Sequence, residues 1–207
     1  MKRKLFLATN NDGKIQRFKH LLHATGLDFE IYTPKDLNLD NIDIIENSVK
    51  LTENSEIKAR AYFGKVVMSI LANDTGFWVD GEGLIHAPKR TALEGKGETK
   101  LTKKEIAKSL LVFWKGIAEK HGGRVDAALV EAFTLLNPDG TLRTAESKRE
   151  VILTNVEFGK AHIQMPVRAL YISKITNKPS IQHSKEEELI EMKPVMDALS
   201  HVLATLF

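Results

Sequence analysis

The sequence contains no cysteine among its 207 residues. Disulfide bridges, thiolate metal sites and cysteine nucleophiles are therefore excluded, and a reducing cytoplasm is permitted. Long apolar runs are missing as well. No stretch approaches the length of a membrane span, and the apolar run at residues 5–8 is too short for a signal peptide. We therefore expect a cytoplasmic protein with no membrane partner.

A strong excess of one charge is also missing, since 30 basic residues face 27 acidic ones and the net charge is +3. This small positive balance suits a ligand that carries phosphate, and it disfavours a nucleic-acid partner. Hydrophobic residues make up 43% and charged residues 28%, as in folded proteins that bury a core. The length and the lack of repeats or linkers predict a single domain over residues 1–207.

The N-terminal segment predicts a strand, a polar loop and a helix, the order that opens many nucleotide-binding α/β folds. Residues 5–8 are wholly apolar, and from Lys14 apolar side chains recur at helical spacing until Gly26. The patterns that follow predict a strand at 29–32, an irregular connection at 34–46, a helix starting near Thr52 with an apolar stripe to Met68, and a polar turn at 73–76. Further along the chain they predict a mobile loop at 85–99, a helix at 103–121, and a hairpin of strands at 127–136 and 141–154. A strand at 167–173 and a final helix with Pro194 in its first turn complete the predicted elements.

The loop between the first strand and the first helix has the composition of a phosphate site. Backbone amides at a helix start offer partial positive charge to phosphate, and a lysine adds a full charge. A solvated turn with a surface lysine is the alternative. The candidate phosphate-binding residues here are Thr9, Asn10, Asn11, Asp12, Gly13 and Lys14.

A second polar cluster lies at the start of the next predicted helix. Asn54 and Lys58 share one face of that helix, Glu53 lies at its start, and Glu46 precedes it in the connection. Magnesium prefers oxygen ligands and usually takes one or two carboxylates, with phosphate and water completing its shell. Taken alone, the cluster is better explained by a helix-capping glutamate and ordinary surface charges.

The third cluster is Asp74, followed by Thr75 and Gly76, directly after a buried strand. Open α/β sheets place ligand-binding side chains at such strand ends. An Asx turn explains the same residues.

Together the three clusters resemble the inosine triphosphate pyrophosphatase family, which removes non-canonical purine nucleotides. That family has a T-x-N-x-x-K loop, matched by Thr9, Asn11 and Lys14. Its E-N-A-x-x-K-A motif is similar to residues 53–59, and its A-D-D-S-G-L motif is similar to residues 72–77, with the second aspartate retained as Asp74.

The resemblance implies an α/β fold, with an elongated mixed sheet flanked by helices and two lobes around a central cleft. It implies hydrolysis of a nucleoside triphosphate to the monophosphate and pyrophosphate, and a homodimer. Magnesium would be held by Glu46, Glu53 and Asp74, and Asp74 would be the general base or would position a metal-bound water. Lys14 and Lys58 would neutralise charge developing in the transition state.

The C-terminal half departs from the family pattern. The aromatic-Asp-Pro motif that helps to hold the base is missing near residues 156–171, although Phe158 or Tyr171 could cover a base, and only Lys193 matches the family's late lysine. Three functions therefore stay open: a pyrophosphatase for non-canonical nucleotides, one for a different nucleotide, and a non-catalytic nucleotide-binding regulator.

Overall fold

The structure is a computed structural model that describes residues 3–39, 42–86, 88–93 and 101–206. Its helices are α1 (Asp12–Ala24), α2 (Leu51–Tyr62), α3 (Pro88–Ala92), α4 (Lys103–Lys120) and α5 (Lys185–Leu203). Its strands are β1 (Arg3–Leu7), β2 (Phe29–Tyr32), β3 (Ser69–Val79), β4 (Gly83–Ile85), β5 (Arg124–Leu136), β6 (Leu142–Thr154) and β7 (Tyr171–Ser173). Short 3₁₀ turns lie at Lys35–Leu37, Pro166–Leu170, Ser180–Gln182 and Ala204–Leu206. Among the described residues, no helix is long and apolar enough to cross a membrane.

The strands form a mixed sheet in the order β2-β1-β3-β5-β6-β7, with β4 paired to β3. Strand β1 lies parallel to β2 on one side and to β3 on the other. The chain leaves β1 through α1 toward β2 and returns through α2 to β3 on the opposite side. Such a reversal of strand order leaves an opening at the carboxyl ends of the strands, where α/β proteins bind ligands.

The chain divides into two compact units, and β3, β5, β6 and α5 contribute residues to both. The first unit consists of Met1–Thr75, Glu131–Ser147 and Pro194–Phe207. One part of its core packs Phe6 against Tyr62, with ring centroids 4.8 Å apart, between β1 and α2. Helix α1 packs on β5 through Phe18 and Phe133, whose rings meet edge to face. Apolar side chains therefore fix α1 and α2 on the strands that end at the polar clusters.

The second unit consists of Gly76–Val130 and Lys148–Lys193. Its core centres on Phe77, Trp114 and Tyr171, with the Phe77 and Trp114 ring centroids 4.8 Å apart. Helix α4 begins with a reciprocal capping box between Thr102 and Glu105. This pairing satisfies orphan amides of the first turn and fixes where the helix starts.

The predicted polar turn at 73–76 is wrong, because these residues lie inside the continuous strand β3. Strand pairing continues on both sides of them, from Leu71 beside β1 to Phe77 beside β4. Within the strand, the Asn73 side-chain amide donates to the Ala132 carbonyl on β5 at 3.1 Å. Pairing with neighbouring strands thus overrides the local preference of Asn, Asp and Gly for turns.

Helix α2 ends earlier than predicted, at Tyr62, so its expected stripe to Met68 is wrong. Phe63 is already extended, and Gly64 has a φ of 74°, a left-handed conformation that glycine adopts without strain. Helix α5 starts earlier than predicted and contains Pro194 in its interior. Its start is fixed by Ser184 and Glu187, whose side chains bond each other's backbone amides.

Two further expectations need correction. Most of the predicted strand at 167–173 is a 3₁₀ turn, and only Tyr171–Ser173 pairs with β6. The predicted loop at 85–99 begins with the end of β4 and the short helix α3. Residues 87 and 94–100 of that segment lie outside the described residues. The predicted helix at 103–121, observed as α4, and the predicted β5–β6 hairpin are confirmed.

Candidate functional site

The polar loop after β1 is shaped by its own side chains. The Thr9 hydroxyl accepts a hydrogen bond from the Asn11 backbone amide at 3.2 Å. Asn11 is the N-cap of α1, and its side-chain oxygen accepts from the Lys14 backbone amide at 3.1 Å. These bonds define a helix start whose positive end lies beside the carboxyl end of β1. Asn10 and Asp12 are exposed next to it, and Gly13 is half-buried.

Lys14 extends from the first turn of α1 toward β3. Its Nζ donates to the Asn73 carbonyl at 3.5 Å, and its side chain is half-buried. The pKa of Lys14 is lowered to about 8, mainly by burial and then by the neighbouring charge of Lys58, while Asp74, Glu131 and Glu46 oppose the shift. A partly desolvated lysine at a helix start is a strong binding group for an anion, because fewer waters must be displaced.

Lys58 joins two carboxylates at the centre of the site. Its Nζ lies 2.6 Å from Glu46 Oε2 and 2.7 Å from Asp74 Oδ1, and it also donates to the Asn73 carbonyl at 3.3 Å. The Lys58 side chain is 12% exposed and that of Asp74 is 11% exposed. Glu46 and Asp74, two of the residues predicted to hold the metal, therefore both contact the Lys58 ammonium group.

Asn54 holds this arrangement together from α2. Its side-chain amide donates to Asp74 Oδ2 at 3.3 Å and to the Ser48 carbonyl at 3.0 Å, and its oxygen accepts from the Ser48 amide at 3.0 Å. Asn54 is 4% exposed. Because it bonds both Asp74 and the loop that carries Glu46, Asn54 fixes where the two carboxylates lie.

Glu53 does not contact Lys58 as Glu46 and Asp74 do. Its carboxylate accepts from the Ser48 hydroxyl and, at 2.8 Å, from Lys50 Nζ, and both bonds keep its pKa below the usual value, with the Lys50 bond the larger cause. In the described part of the chain, no group of three or more His, Asp or Glu side chains is arranged to hold a metal ion. The structure thus brings together two of the three expected metal ligands.

The remaining expected site residues lie further along the chain. Thr75 and Gly76 continue β3 after Asp74 and are half-buried. Lys193 is an exposed residue of α5 and belongs to the second unit. Tyr171 is 1% exposed within the core of that unit, so it does not offer a ring face to a base. Phe158 is half-buried.

Three residues of the first unit were missed by sequence reasoning. Asn73 supplies the carbonyl that both lysines contact, and Arg17 on α1 forms a two-pronged ion pair with Glu131 on β5, at 2.7 and 2.6 Å. Glu131 could have been found, because a lone carboxylate inside the apolar strand at 127–136 needs a buried partner. Nothing in the local sequence indicates that this partner is Arg17.

The geometry suits one kind of chemistry. Two lysines and a helix start provide positive charge for an anion with several negative oxygens. Two carboxylates beside them provide ligands for a hard cation and an acceptor for a proton. Phosphoanhydrides bound with a divalent cation require this combination.

Comparison with known proteins agrees with that chemistry. A family model described as the Ham1 family matches residues 5–154. A "dITP/XTP pyrophosphatase" of Streptomyces avermitilis is 30% identical over 159 residues, which cover 75% of this chain and 74% of that protein. A protein of the same name from Aquifex aeolicus is 32% identical over 77 residues, 37% of this chain and 35% of its own length.

The fold is also found among solved structures. A HAM1 protein from Coxiella burnetii superposes with a TM-score of 0.72 at 19% sequence identity, and the match covers 98% of this chain and 99% of that one. This likeness confirms the mixed α/β fold with a central sheet flanked by helices.

Proposed function

The chain belongs to the Ham1 family, and from that premise we propose that it is a nucleoside triphosphate pyrophosphatase. It hydrolyses non-canonical or modified nucleotides to the monophosphate and pyrophosphate, and so removes them from the nucleotide pool. Relatives named dITP/XTP pyrophosphatase support this assignment.

One observation supports it most: Lys14 and Lys58 converge on the Asn73 carbonyl, at 3.5 and 3.3 Å, beside the Asp74 carboxylate. Like charges do not gather at one point of a protein without a reason, because their repulsion costs free energy. A polyphosphate chain offers the matching negative charge.

The donor set fits a divalent cation. The carboxylates of Glu46 and Asp74 both contact Lys58 Nζ and so lie close together, and magnesium is usually held by one or two carboxylates together with phosphate and water. Enzymes of this family generally depend on a divalent metal ion, and we propose magnesium held by Glu46 and Asp74. A magnesium ion held there would supply positive charge to phosphate oxygens and would favour ionisation of the attacking water. Glu53 then acts indirectly, by holding Ser48 and Lys50 in the loop next to Glu46.

The chain's own residues bind and orient the substrate. The start of α1 and Lys14 bind phosphate oxygens, and Lys58 provides a second positive charge for them. Thr9 and Asn11 stabilise the conformation of the loop before α1. Asp74 accepts the proton of the attacking water. Water adds to the α-phosphorus, the bond from that phosphorus to the bridging oxygen breaks, and pyrophosphate leaves with the bonding electrons.

A second candidate is a pyrophosphatase for a different nucleotide, and the divergence of the C-terminal half favours it. The family match ends at residue 154, before the segment in which base recognition is expected. The third candidate, a regulator without activity, has little use for the Asp74 and Glu46 carboxylates beside the phosphate-binding lysines.

Pyrophosphate release from a panel of canonical and altered nucleoside triphosphates, with magnesium, tests the proposal. We expect release from at least one member of the panel, with the monophosphate as the other product. A diphosphate with orthophosphate as primary products would contradict the assignment. Tight nucleotide binding without turnover would select the regulator instead.

The assembly and the location belong to the same proposal. We propose a homodimer, which light scattering of the purified protein tests, and a cytoplasmic location, which fluorescent tagging tests. A single domain of two lobes is proposed for the whole chain, and cooperative unfolding in one transition would support it.

A further inference from the structure

Helix α1 carries two basic residues on the face that meets the sheet. Lys14 and Arg17 are three positions apart, so they project from the same side of the helix. Lys14 reaches the Asn73 carbonyl on β3. Arg17 donates from both terminal nitrogens to Glu131 on β5, at 2.7 and 2.6 Å. The helix is therefore attached by polar contacts to two neighbouring strands of the sheet, β3 and β5.

Two successive residues of β5 anchor both elements of the site. Glu131 holds α1 through Arg17, and the carbonyl of Ala132 accepts from the Asn73 side chain, next to Asp74. The two anchors lie one peptide unit apart on a buried strand. A rotation of α1 would move Lys14 relative to Asn73 and would also break the Arg17–Glu131 pair.

Stability alone does not explain this ion pair. Glu131 is 3% exposed and the Arg17 side chain is 31% exposed, and an ion pair with a buried carboxylate usually contributes no more stability than apolar side chains of similar volume, because the carboxylate loses its hydration. Phe18 and Phe133 already pack α1 onto β5, one residue from Arg17 and two from Glu131. The planar guanidinium–carboxylate pair adds a fixed orientation of α1 on β5, since two parallel hydrogen bonds define an angle that ring packing leaves free.

The charge of Glu131 acts on Lys14 as well. It opposes the effects of burial and of Lys58, which together lower the pKa of Lys14. Loss of this carboxylate would therefore reduce the positive charge available to phosphate as well as the alignment of the lysine.

We propose that Arg17 and Glu131 are positioning residues, which hold the start of α1 and Lys14 in the orientation that binds the phosphate chain of the substrate. The proposal rests on the proposed function for the identity of the ligand. Neither residue is assigned a contact with the substrate.

The test separates alignment from stability by measuring binding of inorganic pyrophosphate with magnesium, by calorimetry, beside thermal melting. The main variant replaces both partners, Arg17→Met with Glu131→Met, so that no unpaired charge stays buried. We expect it to melt near the wild type and to bind pyrophosphate about tenfold more weakly, the loss expected when one charge-assisted contact is misaligned. Binding as tight as in the wild type would overturn the proposal.

A matched control lies in the second unit, where Arg149 and Glu191 form another buried pair at 3.3 Å. Glu131→Gln and Glu191→Gln should both lower the melting temperature, but only Glu131→Gln should weaken pyrophosphate binding. The reversed pair, Arg17→Glu with Glu131→Arg, should recover part of the affinity. Equal loss of affinity in both glutamine variants would reduce the role of Glu131 to stability and overturn the proposal.

These readouts distinguish the two proposals. If the wild type hydrolyses no nucleotide of the panel but shows the expected pattern of pyrophosphate binding, the enzymatic function fails and the positioning role stands. If the wild type turns over nucleotide but the Arg17→Met/Glu131→Met variant keeps the wild-type KM and pyrophosphate affinity, the enzymatic function stands and the positioning role fails.

Discussion

Glu131 in the first unit and Glu191 in the second are both buried carboxylates, 3% and 2% exposed, but their surroundings differ. Glu131 pairs with Arg17 in a unit where two further cations, Lys14 and Lys58, meet at the Asn73 carbonyl. Glu191 accepts from Ser180 at 2.7 Å, Arg149 at 3.3 Å and Tyr171 at 3.4 Å.

His183 completes the second group, with its Nδ1 2.9 Å from Glu191 Oε2. In that group the polar contacts are between buried side chains, and they connect β6, β7, a 3₁₀ turn and α5. In the first unit Lys14 and Lys58 meet at the Asn73 carbonyl, beside the Asp74 carboxylate. Similar buried carboxylates therefore belong to a scaffold in one unit and to the surroundings of a candidate binding site in the other.

The largest effect is expected from Asp74→Asn. The amide keeps the shape of the side chain but removes a metal ligand and a proton acceptor, so turnover should fall about a hundredfold or more. Steady-state kinetics and circular dichroism on the purified variant measure activity and folding. Activity near the wild-type level in a folded variant would remove Asp74 from the mechanism.

Glu191→Gln should affect stability without affecting the phosphate site. Removing its charge leaves Arg149 buried without full compensation, which should lower the free energy of unfolding by about 3 kcal/mol. Urea denaturation gives this value, and calorimetry with pyrophosphate at a temperature where the variant is folded gives the affinity. A loss of pyrophosphate affinity together with stability would show that Glu191 also affects the phosphate site.

The pH dependence of kcat/KM should report the loss of the proton from Lys14. Its pKa is lowered to about 8, so the charged form that binds phosphate predominates below that pH and is lost as the pH rises through it. We expect kcat/KM to fall about tenfold above this pH, because one charged contact is removed. Lys14→Arg, which stays charged throughout, should flatten this limb of the profile. The same decline in both proteins would assign it to another group.

Base discrimination should show the smallest effect. The family's aromatic-Asp-Pro segment is not recognisable, and of the two aromatic residues that the sequence offers for a base, Tyr171 is buried in the core and Phe158 is half-buried. A site without matched polar partners discriminates weakly between bases. We expect inosine and xanthosine triphosphates to be preferred over adenosine and guanosine triphosphates by less than about a hundredfold, or 2.7 kcal/mol. A larger ratio of kcat/KM values would prove this prediction wrong.

The sequence by itself determined the elements with strong local signals. Helix α1, its end at Gly26, strand β2 and the β5–β6 hairpin follow from periodicity and turn residues, and all are present. The family was also predictable, because Thr9, Asn11, Lys14, Asn54, Lys58 and Asp74 lie in short motifs whose spacing survives in the chain.

Tertiary structure decided what depends on partners distant in the chain. Residues 73–76 have turn preferences, yet they form a strand because neighbouring strands satisfy their backbone groups. Glu53 and Glu46 looked equivalent as ligands, but contacts with Lys50 and Lys58 place them in different surroundings. Arg17 and Glu131 are separated by more than a hundred positions in the chain, and no local pattern encodes which buried charges will pair. Pairing of that kind is set by the packing of helices on strands, which exists only once the chain has folded.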